Sequence, residues 1–75
     1  MVRVKILAGE ADEPVGDFEF EHLPRTGDEI GVPWPSDHFG SRYFTVAQVM
    51  HLAPGAPSRW GKGPMTILRY CEEIT

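Results

Sequence analysis

A chain of 75 residues with 41% apolar and 24% charged side chains has the composition of one small folded domain, spanning 1–75, and not of a disordered segment. Its formal net charge of -4 disfavours general binding to a phosphate backbone, which depends on clustered Lys and Arg. The lone Cys71 excludes an intramolecular disulfide and a Cys-rich zinc site, and no apolar stretch has the length of a membrane-spanning helix.

Along the chain, Val2, Val4, Ile6 and Ala8 alternate with Arg3, Lys5 and Leu7, the period of a half-buried strand. The same stretch has positive charge but no continuous apolar region of the signal-peptide kind, so the expected location is the cytoplasm. Gly9 to Gly16, with two glycines, a proline and three acids, reads as a hairpin loop or longer turn. Phe18 and Phe20 then alternate with Asp17, Glu19 and Glu21. Three carboxylates on one face repel one another, so Arg3 and Lys5 are expected opposite them, in an antiparallel pair.

Leu23-Pro24-Arg25-Thr26-Gly27-Asp28 reads as a turn, because Pro24 fixes φ and Gly27 permits φ > 0. Glu29 to Val32 follows as a short strand with Ile30 and Val32 on one face. Pro33 to Gly40 cannot continue a ladder, since Pro33 and Pro35 lack an N–H, and is expected to be a surface loop. Arg42 to Leu52 is the longest apolar run. Phe44 and Val46 share one parity and Val49 and His51 the other, so a β-bulge near Ala47-Gln48 is expected to return all four to one face. A helix is the rival reading there, but Tyr43, Phe44, Thr45, Val46 and Val49 favour β. Ala53 to Pro64 reads as a loop. Met65 to Ile74 reads as the last strand, with Met65, Ile67, Arg69 and Cys71 on one side.

Five strands with Gly/Pro-rich turns imply an all-β domain, a small five-stranded antiparallel barrel or bent sheet of SH3-like or OB-like type. Leu23 to Ile30, followed by Tyr43 to His51, resembles a pattern in short bacterial proteins in which a Leu-Pro-basic turn leads into Gly-Asp-x-Ile and a later strand carries spaced valines and a histidine. It is also similar to the Gly-Asp turn that opens a strand in many SH3-like barrels. The resemblance implies β structure and no particular activity.

The chemistry-bearing residues form few constellations. His22, His38, His51, Asp37 and Cys71 lack metal-binding spacing, so no metal or other cofactor is expected. Cys71 with His51 is the one nucleophile–base pair to consider, and burial of the cysteine is the competing expectation. No nucleophile elbow, phosphate loop or dinucleotide fingerprint is present, and no catalytic residue is assigned.

Trp34, between two prolines, and Trp60, in Ser58-Arg59-Trp60-Gly61-Lys62, lie in expected loops. Trp buries much area with few rotatable bonds and is enriched where proteins meet, so Trp34, Arg59, Trp60 and Lys62 are the contact candidates. The alternative is that each ring plugs the end of a small core. Asp17, Glu19 and Glu21 offer a second surface. The expected role is a non-catalytic protein-interaction or accessory domain, whose partner is another protein or a second copy, with no membrane. A single-stranded nucleic-acid binder using Arg59, Trp60 and Lys62 is the alternative, against the acidic charge. A small metal protein or enzyme centred on His51 and Cys71 is the third.

Overall fold

A computed structural model describes residues 1–74, and every regular element in it is a strand. In chain order these are β1 (Val2–Ala8), β2 (Glu13–Phe20), β3 (Glu29–Pro33), β4 (Ser41–Thr45), β5 (Gln48–Leu52), β6 (Pro57–Ser58), β7 (Gly61–Lys62) and β8 (Met65–Ile74).

β1 and β2 pair antiparallel, with Arg3 opposite Glu19 and Lys5 opposite Asp17. Lys5 Nζ lies 3.1 Å from Asp17, and Arg3 lies 3.9 Å from Glu19 and 4.0 Å from Asp17. The expected charge ladder is therefore present, although Glu21 falls beyond the end of β2. The strand begins at Glu13, earlier than Pro14 and Gly16 suggest. β2 is a sheet edge, where a proline costs no ladder bond. A register shift opposite Ile6/Leu7 inserts an extra residue at Val15-Gly16, and Gly16 adopts φ +148°, a conformation open chiefly to glycine.

The sheet runs β2-β1-β8-β4-β3, with β5 also on β8. It is mixed, not antiparallel throughout: β8 enters beside β1 in the parallel direction, with Lys5 opposite Ile67 and Ile6 opposite Leu68. Alternation of side chains is the same for both directions, so periodicity had no means of separating them.

Arg42 to Leu52 is divided between β4 and β5, with the break at Val46-Ala47. Both halves face β8 in one continuous register, from Tyr43 opposite Ile74 to Leu52 opposite Met65. Across the break the buried face is carried by Val46 and then Val49. On β8 the same step runs from Leu68 to Cys71 around Tyr70, whose φ is +56°. The in–out order thus reverses at the same level on β4–β5 and on β8. Cys71 consequently shares the core face with Leu68 and not with Ile67, a correction to simple alternation along β8. His51, expected inward with Val49, is exposed.

The main core lies on one face of the sheet. Val4 and Ile6 of β1, Ile30 and Val32 of β3, Phe44, Val46, Leu68 and Cys71 are buried together, with Val2, Val15, Phe18, Phe20, Trp34 and Val49 packed at its margin. Leu7 and Ile67, of opposite parity, are fully buried too. The opposite face of β1 and β8 is therefore covered as well, and beside it Trp60 and Pro64 of the 53–64 connection line one cavity with Arg3, Lys5 and Met65.

Candidate interaction surface

Trp34 follows β3, and its N–H donates to the Gly40 carbonyl (2.8 Å), closing the connection to β4. Its ring packs against the core, with the Arg42 guanidinium 4.7 Å from the ring centroid. Arg42 also stands 5.1 Å from the Phe44 ring and makes a two-pronged bond to Glu73, Nε to Oε2 at 3.0 Å and Nη2 to Oε1 at 2.7 Å. Half-buried Trp34 therefore closes one end of the core beneath a fixed guanidinium.

Trp60 sits at the tip of the β6–β7 hairpin, where its N–H donates to Ser58 Oγ (3.1 Å). Arg59 and Arg69 lie 4.9 and 5.1 Å from its ring centroid. Both guanidiniums also bond Asp12, Arg69 at 2.6 Å and Arg59 at 3.2 Å, and the Asp12 side chain is only 8% exposed. Asp12 thereby ties the β1–β2 turn to β8 and to the hairpin carrying Trp60. Lys62 is exposed and, among the described residues, has no carboxylate partner.

The Arg69 hydrogen bond, which partial burial opposes, holds the Asp12 carboxyl below the usual carboxylate range. Likewise the Arg42 hydrogen bond lowers Glu73. A carboxyl whose folded-state pKa is depressed stabilises the fold fully above its unfolded value near 4, and that contribution disappears as pH falls through the folded value. Thermal melts of Asp12→Asn between pH 7 and 2 should show a lower Tm at neutral pH and a shallower acid decline than wild type. Parallel curves would mean that Asp12 is not a source of the acid sensitivity.

Cys71 and His51 do not form a pair. Thr66, the register partner of His51, and Cys71 are separated along β8 by roughly 15 Å. Burial pushes the Cys71 thiol up to about 11, against a hydrogen bond from the Ala47 backbone that pulls it down. A thiol reagent at pH 8 should label Cys71 only on unfolding, and stoichiometric labelling of the native protein would contradict its burial. Among the described residues no three His, Cys, Asp or Glu side chains converge as a metal site, and no helix is long and apolar enough to cross a membrane.

The surface that sequence reading did not single out lies at the β3–β4–β8 end. A groove of about 500 Å³ runs among Phe39, Tyr43 and Ile74, with Glu29, Asp37, Arg42 and Glu73 along its walls. Phe39 is 82% exposed, Tyr43 50% and Ile74 40%. Phe39 is held at the loop tip by its own N–H, which donates to Asp37 Oδ1 (3.0 Å). Tyr43 and Ile74 are cross-strand partners on the face opposite the core, and the Tyr43 ring lies over Gly31 so closely that a Cβ there would come within 2.9 Å of it. In the sequence the one signal for this patch was Phe39 in a polar loop. That Tyr43 and Ile74 point outward depends on which parity the core claims.

Ion pairing distributes charge unevenly. Arg3, Lys5, Arg42, Arg59 and Arg69 are all paired, leaving Arg25 and Lys62 as the cations without a carboxylate among the described residues. Glu10, Glu13, Glu21, Asp28, Glu29, Asp37 and Glu72 have no such partner among those residues, so the available surface charge is acidic.

No family model, curated protein or solved structure matches this chain.

Proposed function

We propose that this chain is a non-catalytic protein-interaction domain of the cytoplasm, an accessory module that docks partners in the groove between Phe39, Tyr43 and Ile74. The observation that carries this reading is the clustering of three large apolar side chains, exposed on one side of a domain short of core. Small domains gain stability from each apolar side chain they bury, and a contiguous exposed patch ringed by polar groups is characteristic of a contact surface. A bent sheet of SH3-like or OB-like type is the finer reading of the fold, and such sheets serve varied binding roles.

Trp34 packs at the margin of the core, and Trp60 lines a different cavity with Arg3, Lys5 and Met65. Each ring already stacks with the chain's own arginines, which leaves less of it for a partner. The same contacts weigh against the nucleic-acid reading, because Arg59 is engaged with Asp12 and Lys62 is the one unpaired cation beside Trp60 among the described residues.

The test is affinity capture from native lysate with wild type and with Phe39→Asp/Tyr43→Asp, both checked for folding by circular dichroism. The groove reading expects at least a tenfold loss of the retained protein. Equal retention would remove the groove, and nuclease-sensitive retention that depends on Lys62 would favour a nucleic acid instead.

A further inference from the structure

The register places charge beside the apolar patch in a defined way. Glu29 pairs with Thr45, and Thr45 with Glu72, so these three form a row across β3, β4 and β8. The adjacent row is Gly31, Tyr43 and Ile74. Both rows belong to the face opposite the core, since the intervening Ile30 and Phe44 are buried. Asp37 lines the same groove from the β3–β4 loop. The nearby cation, Arg42, is committed to Glu73 through two bonds and has its flat face against Trp34 and Phe44. The groove is therefore an apolar floor with carboxylates beside it and no cation to spare.

Resting on the groove reading above, we propose that its occupant is an extended segment of a partner protein in which Lys or Arg flanks apolar residues. Apolar side chains of such a segment would contact Phe39, Tyr43 and Ile74 while its cations meet Glu29, Glu72 and Asp37. The neighbouring sheet edge suits an extended chain. Trp34 N–H bonds Gly40 O and Val46 N–H bonds Asp28 O, so the alternation of the ladder turns the N–H groups of Glu29 and Gly31 away from β4 and toward the open edge. Pro33 contributes no N–H there, which keeps that edge short. Other occupants meet unfavourable charge: a second copy would set Glu29 and Glu72 against the same acids, and nucleic acid or an anionic bilayer would set phosphate against them.

The test uses a displayed library of random twelve-residue peptides, roughly one β-strand and its flanks in length. It is selected on immobilised wild type and in parallel on folded Phe39→Asp/Tyr43→Asp. Should that variant fail to fold, Phe39→Ser replaces it, since Phe39 stands at a loop tip and supports little else. Peptides retained by wild type alone should carry Lys or Arg beside apolar residues. One of them, made synthetically, should lose at least tenfold in affinity to Glu29→Lys/Glu72→Lys and should weaken as salt is raised. Groove-dependent peptides that are neutral or acidic would overturn the cationic class and leave the groove standing as a contact site. A library with no groove-dependent peptide would remove the groove reading itself. Groove-dependent dimerisation in sedimentation, or binding to phosphatidylserine vesicles, would assign the surface to a second copy or a membrane and overturn the proposal.

Discussion

Phe44→Ala should unfold a large fraction of the protein at 37 °C. Phe44 is the largest fully buried side chain and touches the centre of the core from β4, between β3 and β8. Truncating a buried Phe to Ala costs about 3–5 kcal/mol through lost burial and the cavity left behind. A chain of this length has a total stability on the order of 4–11 kcal/mol, so the substitution removes much of it. The expected fall in Tm is on the order of 20 °C. Tyr43→Ala, its neighbour on the opposite face, should cost about 1 kcal/mol or less, because half of that side chain is already in water. Urea titrations of both variants decide the matter: equal losses would mean that the face carrying Phe44 is not the principal core.

Gly63→Ala should destabilise by about 2–3 kcal/mol, as overpacking against rigid atoms does. A Cβ at Gly63 would overlap the Ala53 carbonyl oxygen and stand 2.7 Å from the Leu52 carbonyl oxygen, and backbone atoms cannot swing aside as a side-chain tip does. Gly63 also donates to Ala56 O and accepts from Gly55 N–H, at 3.0 and 2.9 Å, so the methyl group would push apart the mouth of the hairpin joining β5 to β8. The Trp60 ring should then become more accessible, which acrylamide quenching of Trp fluorescence reads directly. Lys62→Ala, next door and exposed, should leave stability within about 0.5 kcal/mol. Similar melting curves for Gly63→Ala and wild type would show that the 53–64 connection yields easily and contributes little to covering Leu7 and Ile67.

The strands of this domain were legible where side chains alternate strongly. The β1–β2 pairing followed from charge alone, since Asp17 and Glu19 require cations opposite and Arg3 and Lys5 are the nearby pair. The change of parity between Val46 and Val49 was legible in Arg42 to Leu52, but the β-bulge expected from it is not formed, since β4 and β5 keep one register along β8. The matching change on β8 was not legible, because the core face there passes from Leu68 to Cys71 through Tyr70 at positive φ, a backbone state that tyrosine does not advertise. The start of β2 was obscured by Pro14 and Gly16, which an edge strand tolerates and a central strand does not.

Function was less legible than fold. Trp34 and Trp60 stood out in composition, yet both rings stack on arginines that arrive from other strands, Arg42 on β4 and Arg69 on β8. The groove at Phe39, Tyr43 and Ile74 assembles residues from a loop and two strands and has no motif. By itself the sequence determined the all-β class, the main turns, the acidic balance and the charge-matched β1–β2 register, because each depends on neighbours in the chain or on one facing strand. Only the tertiary structure decided the parallel entry of β8 beside β1, the matched change of buried parity on β8 and the choice of which apolar side chains stay outside. Those depend on contacts between segments far apart in the chain, whose free energy no local pattern encodes.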